Sequence, residues 1–247
     1  MSLEIIYNLD SRAGKLTSEL FSSEDISGEL LIYLPKSGTY AAVQTSLLLV
    51  LPEDGSESEA KNIFTTGGLG DLAEREHLCI AFLLSKQKYA NGSSLLDDFY
   101  TAIQKKKNPL PCHISLIYHI GFGSSADLLM NYGQRNPANQ AGLLAISPVH
   151  GGSEIAKAPV PMMIYQGSEH INRIAQKMND NDQYAKTIIC GLEAGNLQQI
   201  IQKAYTELFS QVRRWRNSIN GTLLPRIDFA ESIFKRISAK SLVFIFL

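Results

Sequence analysis

Cysteine is scarce in this chain: there are three in 247 residues, at Cys79, Cys112 and Cys190. An odd number at wide spacing builds no disulfide framework, and no C-x-x-C or paired Cys/His spacing offers a zinc or redox centre. Each stands in or beside an apolar run, which reads as a buried free thiol in a reducing compartment. Net charge is scarce too. The 23 basic and 24 acidic side chains leave −1, so no electrostatic footprint points to nucleic acid or to an anionic membrane surface. The two dense basic clusters, one over 105–107 and the other at Arg213, Arg214 and Arg216, read as solvated helix surfaces. Long apolar runs are missing: the ending "SLVFIFL" is too short to span a bilayer. The opening "MSLEIIYNLD" lacks the basic and apolar regions of a secretory leader. As the sequence stands the expected location is cytoplasmic; a mature secreted chain given a cloned start would look the same.

What is present is an ordinary globular composition, 45% hydrophobic and 19% charged. Short apolar β-rich runs alternate with amphipathic segments. Strands are expected over 29–35, 46–52, 78–84, 113–122, 141–148, 160–167 and 185–191. Several are apolar without alternation, as strands covered on both faces of a parallel sheet must be. Helices are expected over 57–76 (divided by its glycines), 94–107 with Ser94 as N-cap, 125–135 and 196–217. The alternation predicts one three-layer α/β domain over 1–247, mostly parallel in its sheet, with helices on both faces. About 218–247 is left as an extension or the start of a truncated segment.

The most informative stretch is "IYHIGFGSSADLLMNYGQRNP", 117–137, read as strand, glycine turn and helix. In a nucleophile elbow, G-x-S-x-G, small residues two before and two after the serine let strand and helix backbones approach. Gly121-Phe122-Gly123-Ser124-Ser125 fits that packing with glycine in the nucleophile seat. Placing the nucleophile at Ser124 puts Phe122 in a crowded small position. Placing it at Ser125 puts Asp127 there.

At this point the chain resembles the α/β-hydrolase superfamily, in particular polyhydroxybutyrate-depolymerase and feruloyl-esterase-like esterases. "LIYLPKS", "LLLVLPEDGSES", "GLGDLAEREHLCIAFL", the elbow segment, "APVPMMIYQGSEH" and "VRRWRNSINGTLLPRI" are similar to family segments in the right order. The resemblance implies a Ser…Asp…His triad, and none of its seats carries the usual residue. Gly123 holds the nucleophile seat. His170, beside Glu169, holds the acid seat, and Asn196 holds the base seat. Glycine has no attacking atom, and asparagine does not shuttle protons near neutral pH. The oxyanion amides implied by the resemblance are that of Ser124 and one from Asp54-Gly55.

His150, in "SPVHGG" after the next strand, falls toward the ligand-binding edge of such a sheet and is an alternative base. His77, His113 and His119 read as core or surface side chains, and Trp215 as a packing anchor. "GGLG" at 67–70 reads as a helix break rather than a phosphate cradle. No metal and no cofactor is expected. The first expectation is a hydrolase homologue that does not use the usual triad, its cleft open to a small carbonyl- or carboxylate-bearing ligand or a partner. The alternative is an active carboxylesterase using Ser124 or Ser125 with His150 or His170. A third class, an assembly module, would show an oligomer and an apolar patch over the cleft.

Overall fold

The apolar runs pair into an eight-stranded sheet in the computed structural model. It describes residues 12–22, 27–36, 45–85, 89, 92–104, 112–136, 139–150, 160–165, 173, 187–190, 196–209, 211–213 and 223–225. The strands are β1 (Leu16–Ser22), β2 (Ser27–Tyr33), β3 (Thr45–Leu51), β4 (Cys79–Leu84), β5 (Cys112–Phe122), β6 (Gly142–Ile146), β7 (Met162–Tyr165) and β8 (Thr187–Cys190). Their order is β1-β2-β4-β3-β5-β6-β7-β8. β1, β2 and β4 meet antiparallel, and every other neighbouring pair is parallel.

Alternate side chains of the central strands enter two separate cores, which is why these strands read as unbroken apolar runs. Leu47, Leu49 and Leu51 face one core, under α3 (Gly92–Gln104) and α4 (Ser124–Arg135). Leu48 and Val50 face the other, under α1 (Glu57–Thr66), α2 (Leu69–Glu76) and α5 (Leu197–Ala204). Helices on both faces make the three layers. From β3 the chain crosses to β4 on one side, and from β5 to β6 on the other. The direction of winding therefore reverses between β3 and β5, the position at which open α/β sheets commonly bind ligands.

Several expectations change. Ser94 lies inside α3, which begins at Gly92, so it does not cap that helix. The long helix over 196–217 stops early: α5 gives way to a π-helical turn, Tyr205–Phe209, and then to β9 (Gln211–Arg213). β9 pairs antiparallel with β10 (Leu223–Pro225), and this pairing competes for the backbone groups a longer helix would use. β1 has no counterpart among the expected strands; its Leu20 is 81% exposed, so burial left little pattern to read. The helix over 57–76 is divided as expected, with Gly68 left-handed at φ 60° between α1 and α2.

Candidate functional site

β5 ends at Phe122 and α4 begins at Ser124, so Gly123 makes the whole turn. Its φ of 53° and ψ of −123° would strain any side-chain-bearing residue by an order of 1–3 kcal/mol. The Gly123 N–H donates to the Ile146 carbonyl at 2.9 Å, and its own carbonyl accepts from Ala126 N–H at 3.1 Å. Gly121 lies directly beneath the helix: a Cβ there would stand 2.7 Å from Ala126 Cα and 2.8 Å from Ala126 N. Ser125 Oγ accepts the Phe122 N–H at 2.9 Å and donates to the Leu51 carbonyl at 2.6 Å, tying β3, β5 and α4 together. In the same helical turn the Asp127 carboxylate accepts the backbone N–H of Val149 (3.1 Å) and of His150 (2.9 Å). That fixes the loop after β6 beside a helix N-terminus that already favours negative charge.

Across the turn stands the loop after β3. The parallel register sets Leu51 beside Gly121, so Glu53, two residues on, comes level with Gly123. A Cβ at Gly123 would lie 2.2 Å from Glu53 Oε1 and 2.3 Å from its carboxyl carbon. The Glu53 carboxylate thus fills the volume that a side chain at position 123 would need. Glu59 holds the loop from α1, accepting Glu53 N–H at 3.1 Å and Asp54 N–H at 2.8 Å. Ser56 caps that helix, accepting Glu59 N–H at 3.1 Å, and donates its own N–H to Asp54 Oδ1 at 2.7 Å. Burial pushes the Glu59 carboxyl up, reinforced by its side-chain hydrogen bond with Asp54 and opposed by the two backbone N–H groups. The loop thus presents a carboxylate to Gly123.

No protein-family model and no curated protein matches the sequence. Solved structures do. A lipase/esterase from Lactobacillus plantarum superposes with a TM-score of 0.56 at 11% identity, covering 78% of this chain and 98% of that one. S-formylglutathione hydrolase from Staphylococcus aureus gives 0.58 at 11%, covering 78% and 96%. A fluorophosphonate-binding serine hydrolase of the same organism gives 0.56 at 13%, covering 78% and 97%. The chain has the α/β-hydrolase fold. Within that fold the Gly121–Ser125 turn joins β5 to α4.

On the α/β-hydrolase fold the expected site residues fall as follows. Gly123 is at the elbow tip. Ser124 is exposed at the first helical position, and its N–H, like that of Ser125, has no acceptor within the helix. Ser125 is fully buried, its hydroxyl engaged with the Leu51 carbonyl inside the fold. His150 is exposed, and among the described residues no hydrogen bond joins a histidine ring to Ser124 or Ser125. The Asp54 N–H, one of the expected oxyanion donors, is committed to Glu59. Gly55 turns at φ 71°, its carbonyl accepting from Ser85 N–H at 3.0 Å. Asn196 caps α5 in a reciprocal box: its Oδ1 accepts Gln199 N–H at 2.9 Å, and Gln199 Oε1 accepts the Asn196 N–H at 3.2 Å. His170 and Glu169 lie outside the described residues, as does Trp215.

Cys79 is buried in the core and forms no disulfide. Among the described residues no cluster of three or more His, Cys, Asp or Glu side chains could hold a metal, and no helix is long and apolar enough to cross a membrane. Sequence reading missed Glu53 and Glu59. The S-x-x-E spacing of Ser56 and Glu59 is a capping-box signature and could have drawn attention to Glu59, although its carboxylate takes the amides of Glu53 and Asp54 instead of that of Ser56. Nothing local marked Glu53.

Proposed function

We propose that the protein is an esterase-type α/β-hydrolase homologue that does not hydrolyse esters through a Ser-His-Asp triad. In this reading its cleft holds a small carbonyl-bearing ligand or a partner, the Glu53 carboxylate disfavouring an anion beside Gly123. One observation carries the reading: the elbow keeps its strained turn and its close strand–helix packing while the seat itself is glycine. The likeness to polyhydroxybutyrate-depolymerase and feruloyl-esterase-type enzymes then concerns ancestry and shape rather than activity, since sites and not folds decide chemistry. A second reading, an esterase using Ser124, draws on the exposure of that serine at the helix start.

A fluorophosphonate probe separates the two, and a fluorophosphonate-binding serine hydrolase is among the structural neighbours. Incubation followed by intact mass and peptide mapping is expected to give no adduct. Hydrolysis of short p-nitrophenyl esters is expected to match that of denatured protein. A stoichiometric adduct on Ser124 would overturn the proposal and identify a displaced nucleophile.

A further inference from the structure

We propose that Glu53 is a built-in closure of the elbow, its carboxylate occupying the nucleophile seat that Gly123 leaves open. The inference rests on reading the protein as a hydrolase homologue without a seryl nucleophile, and it goes further: the seat is filled as well as unarmed. Three observations meet here. The parallel register of β3 and β5 brings Glu53 level with Gly123. The carboxylate lies 2.2–2.7 Å from where a Cβ at 123 would stand. The loop backbone on either side is fixed, Glu53 and Asp54 both donating their N–H groups to Glu59.

The chemistry that follows is specific. A carbonyl approaching the elbow meets a carboxylate where charge would have to develop, and like charge there raises the barrier. Restoring serine at 123 alone therefore gives a crowded hydroxyl beside an anion, and not a working nucleophile. Glu53 is itself exposed on a surface loop, so its side chain can swing out toward solvent and leave the seat accessible.

The test puts a reporter in the seat. A Gly123→Cys thiol is alkylated with iodoacetamide in three backgrounds: unchanged, Glu53→Ala and Glu53→Gln, with peptide mapping to separate it from the three native cysteines. An adjacent carboxylate both obstructs the thiol and disfavours its thiolate. Alkylation is expected to be about tenfold faster in Glu53→Ala, with Glu53→Gln between. Equal rates in all three overturn the closure. Because cysteine at a positive φ can prevent folding, a second measurement leaves the elbow untouched. The amide resonances of Gly123 and Ser124 are recorded at neutral pH in the unchanged protein, in Glu53→Gln and in Glu53→Ala. A displacement of both resonances, larger in Glu53→Ala, supports the closure; resonances unchanged in both variants overturn it. A fluorophosphonate adduct on Ser124 would instead refute the parent reading, whatever the thiol rates.

Discussion

Replacing Gly121 with alanine tests whether the elbow is held by backbone contact between β5 and α4. The new methyl would sit 2.7 Å from Ala126 Cα, 2.8 Å from Ala126 N and 2.9 Å from Leu129 Cδ1. Carbon contacts settle near about 3.5–4.0 Å, so strand and helix must part by about 1 Å. Two of the three obstacles are backbone and cannot rotate aside. Overpacking of this kind costs about 1–3 kcal/mol, and this site belongs in the upper part of that range. For a chain of this size that lowers Tm by about 5–10 °C. Gly142→Ala is the control: its methyl would meet Leu208 Cγ at 3.2 Å and Tyr118 Cδ1 at 3.3 Å, both side-chain atoms able to shift. Its cost is expected below about 1 kcal/mol. Thermal and urea unfolding of both variants, followed by circular dichroism, decides the matter. Equal losses for the two would mean that the strand–helix approach at Gly121 is not what shapes the turn.

Three further outcomes follow from the same structure. His119 is fully buried, with Nε2 2.8 Å from Tyr100 Oη and no partner for Nδ1, and burial lowers its pKa from 6.5 to about 3. The unfolded chain then binds more protons than the folded one between those values. Stability is full above pH 6.5 and falls by about 1.4 kcal/mol per pH unit as acid is added through that window; a His119→Phe variant should show a flatter urea-midpoint profile between pH 6.5 and 4.5, and an unchanged slope would refute the assignment. Ser125→Ala strands the part-buried Phe122 N–H and the buried Leu51 carbonyl, an expected loss of about 1–3 kcal/mol in urea denaturation. Asn196→Ala removes one half of the α5 capping box, an expected loss of about 1 kcal/mol without any change in reactivity toward fluorophosphonate.

The parts of the fold legible along the chain were those that each element writes into its own residues. Runs such as "SLLLVLP" and "LCIAFLL" are apolar on both faces because both faces of β3 and β4 are covered. The glycines at 121 and 123 mark the turn because a Cβ at 121 would meet the Ala126 backbone, and the positive φ at 123 favours glycine. Weakly buried or competing segments were harder. β1 carries an exposed Leu20, and the helix-like pattern past Ala204 yields to a π-helical turn and a strand pairing made elsewhere.

By itself, then, the sequence determined the three-layer α/β class and the strand–turn–helix at 117–135 with glycine at its turn. These are local matters of period, turn chemistry and residue type. Only the tertiary structure decided that Ser125 turns inward to bind Leu51, that Asp127 anchors the backbone at Val149 and His150, and that Glu59 takes up the amides of Glu53 and Asp54. It alone brought the Glu53 carboxylate beside Gly123. Residues 53 and 123 are neighbours because β3 lies beside β5 in one particular parallel register, and a lateral register is set by the packing of whole strands rather than by the residues on either side of the meeting point.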